Sequence, residues 1–236
     1  MQSSADRPAL AASLFRYGID AVCLTADCAV FPMWLVRMRQ SPCSAVLGML
    51  SEAERERAGR FRMPWLRNRY VGAHAGLRLL GERYFGIAAS CQRFETNEFG
   101  KPRLAGVRHA QCSISYSGDH ALIGLSRNEE IGVDIEVIRP IDDALELMEM
   151  HYTHSEQIAL RRMRRARAAF NEAFLTVWVR KEACVKALGR GLAIPLGTIE
   201  CGVGDRTTTV QVGGRQIRAG VIHAPGDHIV AWAQCC

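Results

Sequence analysis

The spacing of apolar residues changes period several times along this chain, and each change predicts an element. From Ala21 to Phe31 the pattern predicts an opening strand closed by Pro32. Ser51 then begins SEAE, a capping-box pattern with Glu54 three positions on, and helical spacing runs brokenly toward Tyr84 with Pro64 dividing it. Strand-like pieces follow at Cys91 to Phe94, Gln111 to Tyr116 and Ala121 to Ser126, separated by the turn-prone stretches NEFGKP and SGDH.

IGVDIEVI reads as the next strand, ended by Pro140. Thr153 to Glu156 gives a second capping box, which opens IALRRMRRARAAF, and Asn171 to Leu188 then forms a helix stopped by Gly189, Arg190 and Gly191. In the tail, TIECGV, TTTVQV, RQIRAGVI and HIVAWA predict three or four antiparallel strands between Gly turns. Each half therefore runs helices and then antiparallel strands. That order predicts an α+β fold of two similar subdomains, residues 1–126 and 127–236, each a small, mainly antiparallel sheet packed with helices.

A length of 236 residues with 48% hydrophobic side chains suffices for one large domain or two small halves, each with a core. The net charge of +6 favours anionic partners without choosing among phosphates, nucleic acids and acidic proteins. Nine cysteines, an odd number with no CxxC pair and no zinc-finger spacing, predict that most are reduced thiols. Asp6, Arg7, Arg16 and Asp20 interrupt the apolar residues of the N-terminus, which argues against a signal-peptide core or a bilayer-spanning run and for a soluble cytoplasmic protein.

Chemistry concentrates in a few places. Asp134 and Glu136 lie two apart in a strand, so their carboxylates share a face and repel. Either that face is wet or a cation sits between them. Trp178, Glu182 and Lys186 recur at i, i+4 positions on one helical stripe, where a solvated Glu to Lys pair is the plain alternative. Taken together, Asp134, Glu136 and Glu182 would supply three hard oxygen donors suited to Mg²⁺. Lys101, between Gly100 and Pro102, is presented from a constrained turn and would suit a phosphate, or is merely a soluble turn.

SISYSG sets Ser113, Ser115 and Ser117 on one face of a strand, expected as a polar outer face, with Ile114 and Tyr116 on the other. No GxSxG elbow and no P-loop accompanies it. Arg161, Arg162, Arg164, Arg165 and Arg167 form the basic outer face of an amphipathic helix, solvated or able to dock an acidic protein or a nucleic-acid backbone. His151 and His154, at the start of that helix, are expected to be ordinary surface residues.

In this order GKP, SISYSG, GVDIE and WVRKEACVK resemble the Sfp-type 4′-phosphopantetheinyl transferases, over roughly Ser51 to Leu196. The resemblance implies pseudo-twofold subdomains that hold coenzyme A, the co-substrate, and Mg²⁺, with Mn²⁺ as the substitute. The first half would contribute the nucleotide contacts and the second the metal-binding acids and the catalytic helix. It implies metal binding by Asp134, Glu136 and Glu182, with Asp134, Glu182 and Lys186 catalytic. Contacts to the cofactor would come from Arg57, Arg69, Gly100, Lys101, Pro102, Ser115, Tyr116 and Lys186.

Two departures stand out: Tyr116 occupies the usual place of a histidine, and Glu54 lies near a position that is often basic. A phenol donates a hydrogen bond but carries no positive charge, so binding of the 3′-phosphate is the property the first departure touches. The implied reaction moves 4′-phosphopantetheine to a serine of an apo acyl or peptidyl carrier protein and releases 3′,5′-ADP. A monomer is the simplest expectation. Rival readings are an inactive module that binds coenzyme A or a carrier, and a basic nucleic-acid binder, the latter without a stacking motif to support it.

Overall fold

In the computed structural model of the chain, residues 6–24, 31–204 and 206–236 are described. The chain divides into two units, Met1–Glu95 with Pro102–Arg127 and Thr96–Lys101 with Asn128–Cys236. The fold is α+β, with two antiparallel sheets, each packed with helices.

The first unit begins with helix α1 (Asp6–Phe15), strands β1 (Ile19–Leu24) and β2 (Met33–Met38), and helices α2 (Ser44–Met49), α3 (Glu52–Gly59) and α4 (Pro64–Phe85). Strands β3 (Phe94–Thr96), β4 (Pro102–Leu104), β5 (Gln111–Ser117) and β6 (His120–Ser126) follow. They form a six-stranded sheet in the order β1-β2-β6-β5-β4-β3. Ser51 caps α3 as its spacing predicts, accepting from the Glu54 amide while the Glu54 carboxylate takes the Ser51 amide. Pro64 opens α4 at its first turn, where no amide is needed, so the proline separates two helices by starting one of them.

The second unit opens with β7 (Ile131–Val137), followed by α5 (Ala144–His151), α6 (His154–Met163) and α7 (Arg167–Leu188), and ends in β8 (Thr207–Val212), β9 (Arg215–Ala224) and β10 (His228–Cys235). Its sheet runs β7-β10-β9-β8. Phe174, Val177, Ala183, Val185 and Ala187 of α7 pack with Ile217, Ala219, Ile229 and Ala231 in one apolar cluster. Removing each larger side chain from water contributes about 1.5–3 kcal/mol.

Several expectations need correction. Helix α7 starts at Arg167 rather than Asn171, and a turn after Met163 ends the arginine-rich helix early. TIECGV is no strand, and Cys91 to Phe94 is mostly the end of a 3₁₀ turn with β3 beginning only at Phe94. The opening strand is placed earlier, at Ile19–Leu24, and residues 25–30 of the predicted stretch lie outside the described residues. Ser113, Ser115 and Ser117 are buried, so their face of β5 is not a polar outer face. The eight described cysteines are free thiols, as expected, and Cys28 lies outside the described residues.

Gly132 sets how closely α7 approaches the sheet. A Cβ there would fall 2.0 Å from the Ala183 carbonyl oxygen and 2.4 Å from the Ala187 amide nitrogen. Those are helix backbone atoms with no rotamer to relieve the overlap. A Gly132→Ala substitution is expected to cost about 3 kcal/mol or more, read as a lowered midpoint in urea unfolding. Gly48→Ala in α2 is the control, since a Cβ there meets nothing within 4 Å; it should leave stability unchanged or raise it by up to about 1 kcal/mol.

Candidate active site

Strand alternation directs Gly132, Asp134 and Glu136 to one face of β7, the face whose partners on β10 are Ala233, Ala231 and Ile229. These three partners belong to the cluster packed with α7, so both carboxylates point to the side that the helix covers. Helix α7 brings Glu182 and Lys186 to the same seam. The Lys186 ammonium donates to Asp134 Oδ1 at 2.6 Å, with the Asp134 side chain only 7% exposed. Glu136, further out, lies 3.9 Å from Arg139.

Glu182 reports the company it keeps. Burial raises its carboxyl above the ordinary value, the Asp134 charge raises it further, Lys186 opposes, and Glu136 adds a smaller push in the same upward direction. Three carboxylates and one ammonium therefore form a single electrostatic cluster, and the wet-face alternative for Asp134 does not hold. Among the described residues, no group of three His, Cys, Asp or Glu side chains is gathered closely enough to hold a metal ion as it stands. The donor set nevertheless fits a hard divalent cation: all oxygen, mutually repelling, with Lys186 holding positive charge against the most buried acid.

Trp178, one turn before Glu182 on the stripe, stacks on Phe174 and meets the His151 ring edge-on at 5.5 Å between centroids. His151 is thus packed against this stripe and is not an ordinary surface residue.

Two residues between Trp178 and Glu182 matter most to the helix. Arg180 and Lys181 are fully buried. Arg180 donates to the Cys201 carbonyl at 2.6 Å. Lys181 pairs with Glu156 at 2.7 Å and donates to the Leu196 and Ile199 carbonyls. A run of charges inside an otherwise apolar helix stretch was the available clue.

At the far end of α7, Gly189 adopts φ +64°, which frees the last carbonyls from the helix. The NEFGKP turn takes them: Lys101 donates to the Ala187 carbonyl at 2.7 Å and Asn97 to the Gly189 carbonyl at 2.6 Å. Lys101 and Gly100 therefore sit at the carboxyl end of the helix that carries Glu182 and Lys186. A cation is favoured there by the helix dipole as well.

The first unit gathers a second group. The Arg69 guanidinium lies 5.4 Å from the Trp65 ring and 5.1 Å from the Tyr116 ring, and donates to the Gly118 carbonyl at 2.7 Å. Arg57 lies 5.6 Å from the Tyr70 ring. Burial keeps the Tyr116 phenol well above its usual range, so it stays a neutral hydroxyl. Ser115 points to the opposite, buried face of β5 and does not join Tyr116, while Pro102 begins β4. A cavity of about 610 Å³ beside α1 and α4, lined by Leu10, Ser13, Tyr17, Leu79, Glu82 and Arg83, touches none of these residues.

Glu54, the departure noted in the sequence, serves the fold. It bonds His74 at 2.8 Å and the buried Arg78 at 2.7 Å. Burial alone would raise its carboxyl, but the hydrogen bonds from His74 and the Ser51 amide, with the Arg78 charge, outweigh burial and hold it at about 2. A depressed folded value gives stability that is present above the ordinary value of 4.5 and is lost as pH falls toward 2. Glu54→Gln should therefore flatten the acid limb of a stability-against-pH curve and remove on the order of 2–3 kcal/mol at neutral pH, measured by urea unfolding between pH 7 and pH 2.

Residues 130–233 match a family profile described as the 4′-phosphopantetheinyl transferase superfamily. The 4′-phosphopantetheinyl transferase HetI of a Nostoc species is 30% identical over 167 residues, which is 68% of this chain and 69% of that protein. The enzyme ffp of Bacillus subtilis is 28% identical over 159 residues, 67% of this chain and 69% of its own. Sfp of Bacillus subtilis is 28% identical over 150 residues, 64% of this chain and 65% of its own, so that match spans slightly less than two thirds of the relative.

Proposed function

The chain belongs to the 4′-phosphopantetheinyl transferase superfamily, and from that premise we propose that it moves 4′-phosphopantetheine from coenzyme A to a serine hydroxyl of an apo acyl or peptidyl carrier protein, releasing 3′,5′-ADP. The observation that carries this reading is the cluster of Asp134, Glu136, Glu182 and Lys186 along the seam of β7 and α7, inside the stretch matched by the family.

Three carboxylates against one ammonium leave a formal charge of −2, which a divalent cation cancels. Asp134, Glu136 and Glu182 would hold Mg²⁺, or Mn²⁺ in its place. When bound, the ion supplies charge neutralisation at the pyrophosphate and holds the phosphorus in line with the incoming hydroxyl.

The protein's own groups have separate tasks. Glu182, brought by α7 to the seam with β7, takes the proton of the carrier serine, directly or through a bound water. Lys186 stabilises the negative charge that builds on the departing nucleotide. Lys101 and Gly100, Pro102 and Tyr116, with Arg57 and Arg69, contact coenzyme A, whereas Ser115, on the buried opposite face of β5, is not among the contacts. Tyr116 donates a hydrogen bond without charge, and the guanidinium of Arg69 against its ring supplies the positive charge a phenol lacks. A cytoplasmic location and a monomer belong to the same proposal. Among the described residues no helix is long and apolar enough to cross a membrane.

The test incubates the protein with coenzyme A, Mg²⁺ and an apo carrier and follows the mass gained by the carrier. Transfer should stop on chelation with EDTA and return with added Mg²⁺. Asp134→Ala and Glu182→Ala should each lower turnover by about a hundredfold or more. Near-normal turnover of either variant would overturn the assignment of the acids.

A further inference from the structure

The arginine run is the sequence feature that the proposed reaction leaves unused. Between Gln157 and Asn171 the chain has five arginines and no carboxylate. Residues 164–169, spanning the turn from α6 into α7, are all exposed. Arg161 is anchored to α5 through Glu149 at 3.8 Å. Among the described residues no ion pair involves Arg162, Arg164, Arg165 or Arg167, so four cations face solvent with their charge uncompensated by any neighbour.

Exposed apolar side chains continue the same region. Ile158 is 39% exposed and precedes Arg162 by one turn of α6; on α5, Leu145 and Met150 are 41% and 55% exposed. The Arg161 to Glu149 pair links α5 to α6, and His151 at the end of α5 packs against Trp178 on the stripe that leads to Glu182. The arginines, the exposed apolar residues and the helix stripe bearing the proposed catalytic glutamate thus lie on three helices linked by direct contacts. From Arg167 to Glu182 the helix axis covers ~22 Å at about 1.5 Å per residue, a span that suits a protein and exceeds a small molecule.

We propose that this surface of α5, α6 and the start of α7 is the docking face for the protein substrate, an acidic carrier whose carboxylates meet Arg162, Arg164, Arg165 and Arg167 while its apolar residues cover Leu145, Met150 and Ile158. The inference rests on the carrier-modifying reading above and adds the location and charge of the encounter. Charge complementarity selects the partner. A nucleic acid is disfavoured because, among the described residues, no exposed aromatic ring on these helices offers a stacking platform. A rim of unpaired charge acts mainly on encounter rate, so its signature is salt dependence.

The experiment compares the full-length protein with a triple charge reversal, Arg164→Glu with Arg165→Glu and Arg167→Glu, and with the neutral triple Arg→Gln variant at the same positions. Circular dichroism verifies that both are folded, which exposed positions should permit. Two readouts are taken: fluorescence anisotropy of a labelled apo acyl carrier protein, and steady-state transfer with carrier and coenzyme A varied separately. The reversed variant should bind the carrier about tenfold or more weakly and raise KM for the carrier to match, with KM for coenzyme A unchanged. The neutral variant should fall between, and the salt dependence of wild-type binding should flatten in the reversed one.

Equal carrier binding by wild type and the reversed variant overturns the docking face even if transfer is normal. Absence of transfer by a wild type that binds the carrier through these arginines would instead overturn the reaction and keep the face. Competition of carrier binding by a single-stranded oligonucleotide or by anionic phospholipid vesicles at lower concentration than the carrier itself would overturn the choice of partner.

Discussion

In each unit a buried carboxylate joins the start of one helix to a buried cation on the next, longer one, and the rest of the architecture depends on that junction. Glu54 closes the capping box of α3 and binds Arg78 of α4; Glu156 closes the capping box of α6 and binds Lys181 of α7. Each cation then reaches the segment that follows its own helix. Arg78 donates to the Ala89 and Gln92 carbonyls, and Lys181 to those of Leu196 and Ile199. A cation buried without such partners would be strongly unfavourable, so helix start, long helix and following segment are fixed together or not at all. The same three-part device occurring twice is a more specific sign of internal repetition than the order of helices and strands.

This device also explains where the sequence misleads. TIECGV has the β-branched and apolar content of a strand, yet its backbone is satisfied by side chains instead of a neighbouring strand. The Cys201 and Gly202 amides donate to Glu156, and their carbonyls accept from Arg180. Cys91 and Gln92 are diverted likewise, with Gln92 turned inward to donate to the Arg78 and Ile87 carbonyls. Propensity describes what a residue does on a pleated surface, and here no edge is offered to pair with. Strand β2 escapes notice for a different reason. Met33 to Val36 are buried in succession, so no alternation marks them.

What is legible in the sequence is local geometry. Two capping boxes, the shared face of Asp134 and Glu136, and the Trp178, Glu182 and Lys186 stripe all follow from period and spacing, and all are present. The meeting of strand and helix is not local. It requires Gly132 to admit the α7 backbone, and the signal for that was a glycine inside an apolar strand, easily taken for a mere weakness of the strand. Lys101 illustrates the same limit: its turn was recognisable, whereas its bond to the Ala187 carbonyl spans 86 positions of sequence.

These constraints bear on how the acids can function. Successive residues on a helix are turned by about 100°, so Lys181, locked inward against Glu156, leaves Glu182 one step round and Lys186 about 40° beyond that. The helix cannot rotate to move Glu182 away from Asp134 without pulling Lys181 out of its buried pair. It cannot slide along β7 while Gly132 lies against the Ala183 carbonyl and the 97–101 turn holds its carboxyl end. Rotation and translation are thus both blocked by contacts outside the cluster of acids. The repulsion among Asp134, Glu136 and Glu182 therefore cannot relax by moving the helix. Together with burial, the larger cause, it raises the proton affinity of Glu182, and a bound cation would relieve it.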